Sequence, residues 1–418
     1  MLDTKRIWWI ILAVIFVLFV SGCATFNPHP EEEVTFRERA QTQNKGNVRV
    51  TAAVPSAEES KRLFGVDMYK RGVQPIWLEV ENKDEEPVYF LPIGLDPNYF
   101  SPIEAAYVNH FGYKTPANEE MNRFFYERRQ GIRIAPVSVR SGFVYTPVDE
   151  GTKEFNVDLM GEDKEIRTFT FFINVPGIRP DHQQVDFETL YPKDQIVSYD
   201  EEGLRRALEN VPCCTTNEKG SEQGDPLNLV VIGDGDDVHH ALIRAGWDET
   251  EIIYGASAWK TGMSFLFGGR YRYSPVSPLY VFGRRQDAAF QKARGTIHER
   301  NHLRLWLSPM RFKGKPVWVG QISRDIGVRF TTKTILTHKI DPDVDETRDF
   351  LIQDLWYSQG LSKLAYVKGV GPAPISEPRG NLTGDPYFTD GLRAVLWVSS
   401  DPVAMEAVGF AEWEIPPE

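Results

Sequence analysis

Residues Thr296–Asp349 read TIHERNHLRLWLSPMRFKGKPVWVGQISRDIGVRFTTKTILTHKIDPDVDETRD. The run His302–Leu307 alternates polar and leucine side chains, which is the period of a β-strand. Pro316–Gln321 continues a second strand pattern, and TILTHKI, 334–340, a third. The stretch ends in an expected helix over Asp341–Tyr357. There Asp341 is placed to cap, Pro342 to sit first, and acids to fill the opening turn. Strands that feed directly into a helix predict a mixed fold for this part of the chain.

The same mixture extends outward. Asp200–Asn210 (DEEGLRRALEN) has a capping aspartate and an apolar face of Leu204, Ala207 and Leu208. PCCTTNEKGSEQGDP, 212–226, is expected to be a loop. LNLVVIG, 227–233, is a continuous apolar run suited to a strand buried on both faces. Asp236–Trp247 is expected to be a helix stopped by Gly246. Further strands are expected in Pro278–Phe290 and Gly391–Ser400. The runs GDPLNLVVIGD, RAGWDET, SPVSPLYVFGRRQDAAFQKARGTIHERNHLRLWLSP, PVWVGQISRDIGV, THKIDPDVDETRDFLIQDL and DPYFTDGLRAVLW resemble the LssY C-terminal-type domain of bacterial proteins, over roughly residues 200–400. Some members carry this domain behind membrane-embedded phosphatase or transporter-like segments. The resemblance therefore implies an envelope setting and an α/β domain, expected here over 195–418, and it implies no specific reaction.

The first half has a different texture. VRVTAAV (48–54), IWLEVEN (76–82), VYFLPI (88–93), GFVYTPV (142–148) and RTFTFFINV (167–175) are β-branched or aromatic-rich segments separated by turn residues. They predict a β-sandwich over 47–180, with a helical insertion near Ser101–Tyr126. The polar, proline-marked stretch Arg179–Tyr199 is the expected domain boundary. The whole chain is thus expected to be α+β, a sandwich followed by an α/β domain.

At the start, Lys5 and Arg6 precede the apolar run Trp8–Val20, too short to favour a membrane span and suited to a signal-peptide core. Val20-Ser21-Gly22-Cys23 follows and resembles a bacterial lipobox. That resemblance implies residues 1–22 as a cleaved leader and Cys23 as the lipidated residue. Ala24 is not the aspartate of inner-membrane retention, so a periplasm-facing lipoprotein is expected, with the outer membrane favoured. Residues 23–46, with Pro28, Pro30 and three consecutive glutamates, are expected to be a flexible tether.

The 418 residues carry a net charge of −12, and no Lys/Arg stripe is present to displace counterions, so no nucleic-acid partner is expected. Apart from Cys23 the cysteines are Cys213 and Cys214. Their adjacency leaves free thiols or a vicinal bridge open, and no C-x-x-C exists for zinc. His298-Glu299-Arg300-Asn301-His302 fits H-E-x-x-H, but that motif needs a helix and the strand alternation begins within it. Asp341, Asp343 and Asp345 lack the glycine and the glutamate of a calcium loop. Gly233-Asp234-Gly235 lacks the third glycine of a dinucleotide loop. His239 and His240 are adjacent on a helix and do not face one another. No metal site and no cofactor are therefore named. The candidate polar cluster is His302, Arg304, Asp325, His338 and Asp341, residues placed at the ends of successive strands. Histidine beside aspartate suits proton transfer, arginine suits phosphate or carboxylate, and a buried structural network uses the same residues. With no complete catalytic signature, a non-enzymatic binding or structural role leads. The alternative is a hydrolase acting on an envelope substrate, such as a phosphorylated one.

Overall fold

The computed structural model describes residues 26–112, 115–251, 276–293, 300–329 and 337–417, and divides between Gly177 and Ile178 into two units. The leader, Cys23 and the His298-Glu299 pair lie outside the described residues.

The first unit contains β1 (Gln41–Lys45), β2 (Val48–Ala53), β3 (Val73–Asn82), β4 (Val88–Phe90), β5 (Arg133–Ile134), β6 (Ser138–Pro147), β7 (Gly151–Met160) and β8 (Ile166–Val175). They form two four-stranded sheets, in the orders β1-β2-β3-β6 and β5-β4-β7-β8. Alternate side chains of both sheets, among them Val50, Leu78, Val144, Phe90, Val157 and Phe171, make one core, as a sandwich requires. The expected sandwich is therefore present. Strand β7, absent from the expectation, buries Lys153, Phe155, Val157 and Leu159 in strict alternation. Its other face is polar, and Lys153 is satisfied by Asp149 at 2.6 Å. The outer face of the first sheet buries Trp77, Phe143 and Tyr145 beneath helices α1 (Ala57–Phe64), α2 (Pro102–Tyr107) and α3 (Pro116–Glu127). Helices α1 and α2 open with capping boxes, Ser56 with Glu59 and Ser101 with Glu104.

Residues 26–46, expected to be a tether, belong to this unit instead. Phe36 is fully buried with Trp77 and Phe143. Strand β1 is wholly polar, yet its side chains supply the reason it is ordered. The Gln41 amide donates to Phe172 O at 2.6 Å, and Gln43 and Lys45 donate to Thr170 O and Thr168 O of β8. An edge strand held by side-chain bonds to the other sheet carries no hydrophobic signature for a sequence reading to find.

The second unit is built on a mixed ten-stranded sheet. Along its path run β13 (Asp248–Glu249), β16 (Ala288–Ala293), β17 (Arg300–Phe312), β18 (Lys315–Arg329), β12 (Leu229–Ile232), β23 (Leu392–Val398), β20 (Leu361–Lys368) and β24 (Gly409–Phe410). Strand β9 (Val197–Tyr199) pairs with β17, and β19 (Thr337–Ile340) pairs with β18. One face buries Leu303, Leu305, Leu307, Leu229 and Leu396 against α5 (Gly235–Arg244) and α6 (Val344–Tyr357). The opposite face buries Trp306, Val319, Val230 and Val395 with α4 (Glu201–Glu209). Strand β12 is central and buried on both faces, as its apolar run predicts.

Three expectations shift. The stretch 181–199 is not a linker: Tyr191 donates to Leu307 O at 2.9 Å, Asp181 pairs with Arg285 at 2.7 Å, and β9 joins the sheet. The 212–226 segment is a short hairpin of β10 (Cys214–Thr216) and β11 (Gln223–Pro226), with Cys213 and Cys214 joined as a vicinal disulfide. Beside it lie β14 (Tyr280–Val281) and β15 (Arg284–Arg285), and elsewhere β21 (Arg379–Gly380) pairs with β22 (Pro386–Tyr387). Finally, α6 is capped by Asp343, not Asp341. The Asp343 carboxylate accepts from Glu346 N, while the Asp341 carboxylate accepts from Asp343 N in the turn before it. The later start puts Leu351, Ile352 and Leu355 on the buried face.

Candidate functional site

The strand alternation of β17 places His302 and Arg304 on the face opposite the leucines, and β17 pairs with β18 so that His302 faces Ser323 and Arg304 faces Gln321. Asp325 lies two residues beyond Ser323, and its Oδ2 sits 2.6 Å from His302 Nε2. Arg300 Nε is 3.7 Å from the same oxygen, and Arg300 Nη1 donates to Gln291 Oε1 at 2.6 Å. Arg304 donates to Gln321 Oε1 at 2.8 Å and to Ser277 O at 3.2 Å. All four charged or titratable members are buried, at 3–7 % exposure.

Burial governs their protonation. It pushes His302 down to about 4, against the attraction of Asp325 and with the help of Arg300 and Arg304. His302 is therefore neutral near pH 7, with Nε2 positioned to donate to Asp325. Burial also lowers Arg300 to about 10 and raises Asp225, whose carboxylate answers Arg304 across the same interior. Chemically this is a neutral histidine held by a carboxylate inside a desolvated seam of arginines and amides.

Of the five sequence candidates, the structure brings His302, Arg304 and Asp325 together. Asp341 approaches by backbone alone, its amide donating to Arg324 O at 2.8 Å, while its carboxylate serves the helix start. His338 occupies β19 opposite Val328, and its side chain lies outside the described residues. Sequence reasoning did not include Arg300, Gln291, Gln321 and Asp225. Arg300, Gln291 and Gln321 lie on the same three neighbouring strands as His302 and Asp325, which only the register reveals.

A second site lies in the first unit. A groove of about 470 Å³ is floored by Phe90, Phe143, Val144 and Tyr145, and rimmed by Tyr99, Tyr126, Arg129, Arg133 and Arg140. Among the described residues its lining holds three arginines and no carboxylate. Gln130 also lines it, is 7 % exposed, and among the described residues neither its Oε1 nor its Nε2 has a hydrogen-bond partner. Segment 128–130 crosses β6 by backbone bonds from Phe143 N to Arg128 O and from Gln130 N to Phe143 O. Gly142 permits that crossing, since a Cβ there would stand 2.5 Å from the backbone of Arg129 and Gln130.

Among the described residues, one group could hold a metal ion. His182, His239 and Glu249 present ligand atoms within 4.8 Å of one another. No spacing pattern joins them, since they stand on three separate elements, and His240, the neighbour of His239, is not among them.

The second unit, a mixed sheet with α5 and α6 on one face and α4 and the polar seam on the other, is an α/β domain. Residues 206–392 match the family model described as LssY C-terminus, so this unit carries an LssY C-terminal domain. The match lies wholly within Ile178–Glu418. No curated protein matches the chain.

Proposed function

We propose that this chain is a lipid-anchored, non-enzymatic binding module of the cell envelope, facing the periplasm and favouring the outer membrane, whose sandwich captures a small anionic ligand. The observation that carries the reading is Gln130. A buried amide with both polar atoms unpartnered costs about 1–3 kcal/mol, a cost that a ligand accepting and donating there would relieve. Arginines at the rim and aromatic rings beside them suit a carboxylate or phosphate attached to a sugar or other flat, partly apolar body. The volume falls within the range of small-ligand sites. The LssY C-terminal domain contributes a stable platform in this reading, because its His302–Asp325 pair is buried within its own network. The anchor rests on the lipobox-like sequence ending in Cys23.

The test is calorimetric titration of the detergent-solubilised full-length protein with inorganic phosphate, a sugar phosphate and a uronic acid. At least one should bind, and Gln130→Ala and Arg140→Ala should each weaken it. Absence of binding by all three, or equal affinity in the variants, removes the groove from the account. Anchoring is tested separately by fatty-acid labelling of cells, in which Cys23→Ala should abolish incorporation. A second reading, hydrolysis, has one observation in its favour: Nδ1 of His302 has no hydrogen-bond partner among the described residues. Turnover of a phosphorylated substrate that disappears in His302→Gln would select it.

A further inference from the structure

From His182, His239 and Glu249 we infer a zinc site in the second unit, with three protein ligands and a fourth position open to water. The donor set is the first argument. Two imidazoles and one carboxylate are a ligand set typical of zinc sites that keep an exchangeable position. The second argument is distance. His239 Nε2 lies 3.0 Å and His182 Nε2 lies 3.4 Å from the same oxygen, Glu249 Oε1. Tetrahedral zinc with bonds of about 2.0–2.2 Å separates neighbouring ligand atoms by about 3.3 Å. Both histidine-to-carboxylate edges thus already stand near the edge length of the coordination shell, and all three donors lie within 4.8 Å of one another, so a shift of rotamers would complete it.

The third argument is how firmly each donor is placed. His182 stands in a single helical turn, Asp181–Gln184, whose first residue is bound by Arg285 at 2.7 Å and Gln286 at 3.2 Å. His239 stands on α5, which packs into the core through Val238, Ala241 and Leu242. Glu249 stands on β13, opposite Phe290 of β16. Three elements fixed by separate interactions deliver one donor each, which is the pre-organisation a metal site needs. Exposure gives the site its direction. The Glu249 side chain is 2 % exposed, while His182 and His239 are 27 % and 20 % exposed. The carboxylate forms the base and the imidazoles the mouth, so the fourth position faces outward. The site is independent of the groove in the first unit.

The test uses full-length protein in detergent, stripped with a chelator and titrated with zinc chloride against a chromogenic competitor. One zinc should bind per chain. His182→Ala, His239→Ala and Glu249→Gln should each lower the affinity by about tenfold or more. Because Glu249 is buried and its substitution disturbs the interior, His182→Ala, at the mouth, serves as the second variant, with an unchanged circular dichroism spectrum required of it. Cobalt substitution supplies an independent readout: wild type should give the intense visible bands of a tetrahedral site, and His182→Ala should not. Failure of the wild type to bind zinc in competition with the indicator overturns the inference. So does zinc binding that all three variants retain, since the ion would then sit elsewhere.

Discussion

Acid should destabilise the second unit through one side chain in a predictable window. His302 titrates near 6.5 when unfolded and about 4 when folded, because burial opposes its charged form. A depressed folded value means that the unfolded chain binds the proton first. Stability from this group is therefore complete above about pH 6.5, falls as pH drops, and levels off below about pH 4. A shift of about 2.5 units at about 1.4 kcal/mol each amounts to about 3 kcal/mol lost across that window. Other groups titrate nearby: burial lowers His182 and His240 as well, and raises Asp181 and Asp225. The comparison with His302→Gln cancels them. Glutamine keeps a donor for Asp325 and cannot ionise. Urea unfolding followed by tryptophan emission suits the question, since Trp247, Trp306, Trp318, Trp356, Trp397 and Trp413 all lie in this unit and Trp77 alone among the described residues lies in the other. Between pH 6.5 and 4 the wild type should lose about 3 kcal/mol more than the variant. Parallel pH profiles for the two proteins would refute the burial of a neutral His302.

Arg304→Ala should cost about 3–5 kcal/mol in the same assay, because Gln321 loses its partner and the Asp225 carboxylate loses the cation facing it. Arg393 is buried and donates to Leu227 O, Leu208 O, Val211 O, Pro212 O and Gly369 O. Arg393→Met should therefore lower the free energy of unfolding by about 3 kcal/mol or more, as carbonyls at the end of α4 lose their donor. Gly142→Ala should destabilise the first unit and abolish ligand binding in the groove together, since its Cβ would meet backbone and not a movable side chain. Calorimetry that shows an unchanged first transition in Gly142→Ala would contradict the close approach of segment 128–130 to β6.

What the sequence made legible followed hydrophobic period. The alternation of His302–Leu307 put three leucines under the helices and Trp306 under the other face, as the pattern requires. The Asp200 cap and the Gly246 stop of their helices were readable because those roles demand particular residue types. What escaped was order made by polar contacts. Strand β1 has no apolar residue, and its place depends on amide bonds to carbonyls more than a hundred residues away. Strand β7 hides a buried lysine at a core position, legible only once Asp149 is seen beside it. The Asp341–Asp343 ambiguity had a similar source, because either aspartate can cap and only the packing of Leu351 and Leu355 chooses between them. The cluster at β17 and β18 was half visible for the same reason. Residue type nominated His302, Arg304 and Asp325, while register supplied Arg300, Gln291 and Gln321.

The two kinds of polar site in this molecule differ in a way that bears on function. At β17 and β18 the charges compensate one another: the histidine leans on Asp325, Arg300 on Asp325 and Gln291, and Arg304 on Gln321. Such a seam fixes which strands pair and in what register, because slipping β17 by one residue would carry His302 and Arg304 into the leucine face. Its charges are met internally, while His302 Nδ1, Arg300 Nε and Gln321 Nε2 have no hydrogen-bond partner among the described residues, and a ligand entering it would have to break the bonds just named. The sandwich groove is different in kind. Its arginines reach solvent, its floor is apolar, and Gln130 is buried without a hydrogen-bond partner among the described residues. Free energy is available there to something that brings an acceptor, a donor and a flat face together. The rim arginines and Gln130 together carry the proposed recognition surface, and they lie in the half of the chain outside the family match.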